Sequence, residues 1–181
     1  MHDQMTAPLT MDSAAPFLIR QARLEDAPVI AWHRARMFQD MGELSTAAFD
    51  DFQKEARVWL ERALGRGEYI GWLGVPKDKP NVIAGGAGVQ LRHVSPHPSR
   101  SPKDGGFAKG KHAIVVNVFT EPEWRRRGLA RLLMKEILHW AGTERLDRLV
   151  LHASDGARSL YEQMGFVATN EMRYEGSFDR L

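Results

Sequence analysis

Apolar positions recur along this chain with two periods, and the switches between them mark out its elements. Phe17, Leu18 and Ile19 form a short apolar run that reads as a first strand ending at Arg20. The spacing then becomes helical through Val29, Ile30, His33, Met37 and Met41. Glu25, Asp26 and Pro28 supply the acids and early proline that suit a helix start, and Gly42 stops it. Ser45 or Thr46 can cap a second helix, with a buried stripe of Phe49, Phe52, Ala56, Trp59, Ala63 and Leu64, and with Gly65 as terminator. Residues 69–75 and 82–91 read as two strands that pair across the turn-rich stretch between them.

The second half alternates strand and helix. Residues 113–120 (AIVVNVFT) are a buried strand, and a helix is expected from about 123 to 141, ended by Gly142. Its apolar face is Leu129, Leu132, Leu133, Ile137 and Trp140. Residues 148–153 form another strand, expected to run parallel to 113–120 because a helical crossover separates the two. Ser154 or Asp155 caps a last helix over 157–164, closed by Gly165. Residues 166–168 and 172–174 read as a final hairpin turning near Thr169 and Asn170.

Two segments fall outside these patterns. Residues 1–16 are small, polar and interrupted by proline, as in a mobile tail. Residues 93–111 are rich in Pro, Ser, Gly and Lys, and a loop of that length is either a functional lid or mobile. No repeat or linker divides residues 17–181. The expectation is one α/β domain with a mixed central sheet of about six to seven strands flanked by about four helices.

Composition narrows the function more by exclusion than by assertion. The 181 residues suffice for one substantial core, and no apolar run is long enough to span a bilayer. The first residues lack a basic start and an apolar core of the secretory kind, which points to the cytoplasm. With no cysteine, disulfides, thiolate nucleophiles and thiolate metal sites are excluded. The net charge of +2 suits any anionic partner and singles out none.

Three stretches carry candidate chemistry. Gly86-Ala87-Gly88 lies inside a strand, lacks a third glycine and opens no helix, so a bulge or a close backbone approach explains it better than a phosphate loop. His93 and His97 have a metal-like spacing, but Pro96 and Pro98 argue against a helix there, and no metal site is expected. The strongest signal is the turn Arg125-x-x-Gly128-x-Ala130 between the strand at 113–120 and the following helix. Backbone N–H groups converge at such a junction, the helix dipole adds about half a positive charge, and glycine lets a ligand approach. Cations at a helix N-terminus oppose the dipole, so Arg125, Arg126 and Arg127 make more sense if an anion offsets them. Tyr161, on the helix after the neighbouring parallel strand, can present its hydroxyl to the same cleft between strand ends.

Asn117-Val118-Phe119-Thr120-Glu121-Pro122-Glu123-Trp124-Arg125-Arg126-Arg127-Gly128-Leu129-Ala130 resembles the strand, turn and R/Q-x-x-G-x-G/A signature of the GNAT acetyltransferase superfamily. Ser154-Asp155-Gly156-Ala157-Arg158-Ser159-Leu160-Tyr161 through Gly165-Phe166 is similar to that family's N-x-x-A-x-x-L-Y-x-x-x-G-F segment. The predicted order of elements also matches, from Phe17 to about Tyr174. The resemblance implies that Val118, Phe119 and Thr120 align the pantetheine arm of acetyl-CoA through strand backbone groups. It further implies that Arg125, Arg126, Arg127, Gly128, Leu129, Ala130 and Arg131 receive the pyrophosphate. Ser154 stands where the family usually has asparagine, near the thioester end, and Tyr161 matches the tyrosine that protonates the leaving thiolate.

The function so implied is acetyl transfer from acetyl-CoA to a primary amine of a small molecule or a protein, by direct attack in a ternary complex. A non-catalytic acyl-CoA sensor is the alternative, and nucleic-acid binding by the basic turn a more distant one. His112, Asp40 and Glu43 are candidates for the base that takes the amine proton. Asp40, Glu43, Asp50 and Asp51 are acids that could receive a cationic acceptor. Homodimers are common in the family, so a homodimer is possible here.

Overall fold

The structure is a computed structural model that describes residues 15–98, 106–169, 171, 172 and 174. In chain order the strands are β1 (Phe17–Gln21), β2 (Tyr69–Pro76), β3 (Gly85–His93), β4 (His97–Pro98), β5 (Phe107–Ala108), β6 (Lys111–Thr120) and β7 (Arg148–Leu151). The helices are α1 (Ala27–Asp40), α2 (Phe49–Gly65), α3 (Leu129–Thr143) and α4 (Asp155–Glu162). A five-stranded sheet runs β1-β2-β3-β6-β7, antiparallel throughout except for the parallel β6–β7 pair. The fold is thus mixed α/β as expected, although its central sheet has five strands rather than six or seven.

The sheet separates two cores because successive strand residues point to opposite faces. On one face, Trp72, Val89 and Val115 pack with Leu129, Leu133, Met134 and Ile137 of α3 and with Tyr161 of α4. On the other, Tyr69 and Leu73 pack with Ala27, Ile30 and Ala31 of α1 and with Ala56, Leu60 and Ala63 of α2. Each fully buried Leu, Ile or Met of α3 contributes roughly 1.5–3 kcal/mol, so this helix is fixed firmly against the strands beside it. Glycines in the middle strands make that fit possible: a Cβ at Gly74 would overlap the Leu129 side chain, and one at Gly85 would overlap the Phe119 carbonyl.

The helix ends share one geometry. After α2, Gly67 N–H bonds Leu64 O at 3.1 Å and Glu68 N–H bonds Ala63 O at 2.9 Å, the paired reverse bonds of a left-handed C-cap. The same pair closes α4 at Gly165 and α3 at Arg145, a non-glycine residue held at φ 53°. Gly142 therefore lies inside α3 rather than ending it. Ser45 caps the turn that leads into α2, its Oγ accepting from Ala48 N at 3.3 Å.

Several expectations shift. The helix predicted from about 123 starts only at Leu129; Pro122–Trp124 is a single 3-10 turn, and positive φ at Arg126 (61°) and Gly128 (82°) interrupts the helical path. Met41 and Trp59 are exposed, while Leu60, unassigned by the stripe, is fully buried. The 93–111 segment contains the β4–β5 ribbon, with Val94 N–H bonded to Gly110 O. No strand forms among the described residues after Gly165; Val167 and Met172 project into solvent, so the alternation a hairpin needs has no covered face. Asn170 and Arg173 of that predicted hairpin, like residues 1–14 of the predicted tail, lie outside the described residues, whereas Pro16 O accepts from Lys77 N at 3.0 Å.

Candidate active site

The site is organised by an irregularity in β6. Gly86 pairs with Phe119 but Gly88 with Val116, so Asn117 and Val118 together face Ala87 alone. This is a β-bulge, and its extra residue, Asn117, sits at φ 59°. Asparagine is among the few non-glycine residues that adopt this conformation readily. On its other side β6 pairs with β7 only from His112 to Val115. The pairing ends at Val115, where β7 reaches its last residue, and among the described residues β6 from Val116 to Thr120 pairs only with β3. This leaves a gap in the sheet on its other side, the arrangement that accepts an extended ligand as an added strand.

The gap leads to the start of α3. Gly128 precedes the helix with no side-chain cap, and the first backbone bond into it is Leu132 N–H to Gly128 O at 3.1 Å. The N–H groups of the first helical residues, Leu129, Ala130 and Arg131, are thus left for a ligand. A Cβ at Gly128 would meet nothing within 4 Å, so the space above the turn is open. Open space, uncapped N–H groups and a left-handed turn form a cradle of the kind that suits an anion.

The arginines around the cradle differ in what they can do. Arg125 is a latch: Nε donates to Thr120 O at 3.0 Å, and NH2 pairs with Asp40 at 2.5 Å. Arg127 lies over the Trp124 ring at 4.8 Å, and Arg131 donates to Gln163 Oε1 at 2.6 Å, tying α3 to the end of α4. Arg126 is exposed and has no polar side-chain partner among the described residues. The buried Phe119 ring packs against His33, with centroids 5.2 Å apart, and under the Arg125 guanidinium at 5.6 Å. Val118 and Thr120 are partly buried beside it.

The α4 residues fall where the parallel strand ends. Ser154 is the N-cap of α4, but its hydroxyl makes no capping bond; its carbonyl accepts from Ala157 and Arg158 N–H. Tyr161 is buried in the core beneath α4, 6.0 Å from Phe166 ring to ring, and its hydroxyl has no hydrogen-bond partner among the described residues. Burial raises its pKa above the usual 10.

The residues offered as bases or acids are scattered. His112 lies at the opposite end of β6, packed edge-on to His97 at 5.0 Å and paired across to Arg148, which separates it from the bulge by about 16 Å of strand. Asp40 is committed to Arg125 and Arg36, and Asp51 to Lys54. Glu43 and Asp50 are exposed.

Sequence reasoning overlooked two polar clusters here. Arg34 NH1 donates to Asn117 Oδ1 at 2.6 Å, and Asn117 Nδ2 donates to the buried Tyr69 hydroxyl at 3.3 Å. Burial pushes the Tyr69 pKa up to about 12, opposed by the Asn117 hydrogen bond and by Arg34. His33, fully buried, brings Nε2 within 3.2 Å of Glu121 Oε1, too poorly aligned for a hydrogen bond. Burial lowers its pKa to about 4, so the ring is neutral and the close approach is no ion pair. Glu121 is itself raised, mainly by burial and then by Glu123. The one signal available for the first group was Asn117 in the middle of an otherwise apolar strand.

β6 thus loses its parallel partner beside a bulge and runs on toward an open helix start. Residues 20–166 match the model of the acetyltransferase (GNAT) family, and the chain is an acetyltransferase belonging to that family. No curated protein matches it. Among solved structures, it is similar to a GCN5-related N-acetyltransferase from Ralstonia eutropha JMP134, with 26% identity, TM-score 0.74, and coverage of 87% of this chain and 97% of that one. A predicted acetyltransferase with acetyl-CoA from Clostridium acetobutylicum shares the fold at 21% identity and TM-score 0.72, covering 88% and 96% of the two chains. Glucosamine-6-phosphate N-acetyltransferase from Arabidopsis thaliana shares it at 13% identity and TM-score 0.60, covering 90% and 99%.

Proposed function

We propose that this enzyme binds acetyl-CoA along the free side of β6 and over the start of α3, and transfers the acetyl group directly to a primary amine. The observation that carries the proposal is the end of β6–β7 pairing at Val115, together with the open cradle at Gly128. Val118, Phe119 and Thr120 offer backbone groups to the pantetheine arm, and Gly128, Leu129, Ala130 and Arg131 offer N–H groups to the pyrophosphate. Arg126 supplies a free cation at the rim. Arg125 shapes the cradle by holding Thr120 and Asp40 rather than by meeting phosphate itself. Bound acetyl-CoA supplies an activated acyl group as a thioester. Ser154, whose hydroxyl makes no capping bond, hydrogen-bonds near the thioester end in this reading.

Tyr161 is the proton donor to the departing thiolate. Its hydroxyl is otherwise unengaged, and burial keeps it protonated over the working pH range. With no cysteine in the chain a thioester acyl-enzyme cannot form, which favours direct transfer within a ternary complex. Thiol release from acetyl-CoA with a panel of primary amines tests the reading. Intersecting double-reciprocal plots are expected; parallel lines would indicate an acyl-enzyme instead. Failure of the protein to bind CoA in a calorimetric titration would remove the proposal altogether.

A further inference from the structure

On the α1 side of the bulge lies a cation with no counter-charge among the described residues. Arg34 projects from α1 onto Asn117, the residue immediately before Val118, and its guanidinium is half-buried. Its hydrogen bond is to a neutral amide, and behind that amide lies the neutral hydroxyl of Tyr69. Its other contact is the Phe38 ring at 4.9 Å, and Phe38 stands edge-on to Phe52 of α2 at 5.5 Å. Asp40, further along α1, is engaged with Arg36 and Arg125. Among the described residues, no carboxylate pairs with Arg34.

A half-buried guanidinium without an acid forfeits solvation and gains no ion pair in return. Proteins usually place arginine so that its planar fork grips a carboxylate or phosphate through two N–H groups. Here NH1 is oriented by Asn117, and Nε and NH2 do not appear among the buried unpaired atoms, so they remain reachable. We infer that Arg34, held by Asn117 and Tyr69 at the β6 bulge, receives an anionic group of the acetyl acceptor, so that the substrate is a small amine bearing a carboxylate. A single cation matches one carboxylate charge better than a phosphate monoester of nearly two, and Phe38 and Phe52 provide an apolar wall for the body of the molecule.

The inference rests on the acetyltransferase reading for the amine, but anion recognition is tested by binding alone. The probes are L-phenylalanine, L-leucine and L-glutamine, each against its carboxamide, with phosphoethanolamine against ethanolamine as the phosphate arm. They are titrated by calorimetry into the full chain, with and without saturating CoA. At least one acid is expected to bind tenfold or more tightly than its amide. Arg34→Gln should abolish the difference, as should Asn117→Asp, which gives Arg34 a carboxylate of its own in place. Circular dichroism establishes that both variants fold, and the second keeps the test open if the first does not.

Equal binding of acids and amides, no binding by any acid, or an unchanged preference in a folded variant would each overturn the inference. Stronger binding by phosphoethanolamine than by any acid would overturn the choice of carboxylate. Acids that bind through Arg34 but release no thiol would instead count against the transfer reading while leaving the anion site standing.

Discussion

At the scale of single residues, protonation states decide both chemistry and stability. Burial raises the Tyr161 pKa above 10, so the neutral donor persists through any ordinary assay pH. Loss of this acid should lower kcat only on the alkaline side of pH 10, and Tyr161→Phe should lower kcat by about a hundredfold with little change in the KM for acetyl-CoA. Steady-state kinetics against pH measure both effects. His33 acts on stability. Its folded pKa near 4 lies below the ordinary 6.5, so the unfolded chain takes up a proton first as pH falls. Its contribution is complete above pH 6.5 and is lost progressively down to about pH 4, for roughly 3 kcal/mol in all. The raised Glu121 works in the opposite direction and offsets part of this. Urea unfolding at pH 7.5 and 4.5 should therefore show a smaller acid-induced loss in His33→Leu than in the parent.

Tyr161 was legible as a candidate because its spacing to Gly165 and Phe166 is a local pattern. Arg34 was not, because on a helix it looked like one more polar position. Its meaning depends on Asn117, 83 residues away, and on an acid being absent, which no local pattern records.

At the scale of elements, the strand–turn–helix unit was readable because hydrophobic period and a glycine coincide there. Its inner detail was not. The six-residue delay before α3 comes from positive φ at Arg126 and Gly128, and apolar spacing cannot see it across a turn that continues the same face. The bulge at Asn117 depends on register with β3, a pairing between distant residues. The unit yields two contrasting substitutions. Gly128→Ala places a methyl in open space at φ 82°, so it should cost about 1–2 kcal/mol of stability from backbone strain while blocking the cradle. CoA affinity is expected to fall by at least tenfold, with the salt dependence unchanged. Arg126→Ala removes only a solvent-screened charge, so it should leave stability intact, lower affinity by less than tenfold and flatten the salt dependence. Calorimetric titration at two ionic strengths distinguishes them; identical salt slopes in all three proteins would show that Arg126 does not meet the ligand.

At the scale of the whole molecule, the site exists only in the folded state. Arg125 is latched to Asp40 across 85 residues of sequence, and the gap that would take the cofactor arm requires both β6 paired to β3 and β7 already departed. An unfolded chain holds none of this, so a ligand of the site binds the native state alone and its affinity adds directly to stability. At a hundred times its Kd, CoA should add about 2.7 kcal/mol. For a domain of this length that corresponds to a rise in Tm of roughly 5–11 °C. The dependence on concentration is the sharper test. Each further decade of CoA should add about 1.4 kcal/mol, hence a near-constant increment of roughly 3–6 °C, without saturating. Gly128→Ala should displace the whole line along the concentration axis by its loss of affinity while keeping the slope. A Tm that levels off while CoA still rises would mean that the unfolded chain also binds, and a line that Gly128→Ala leaves in place would move the cofactor away from the start of α3.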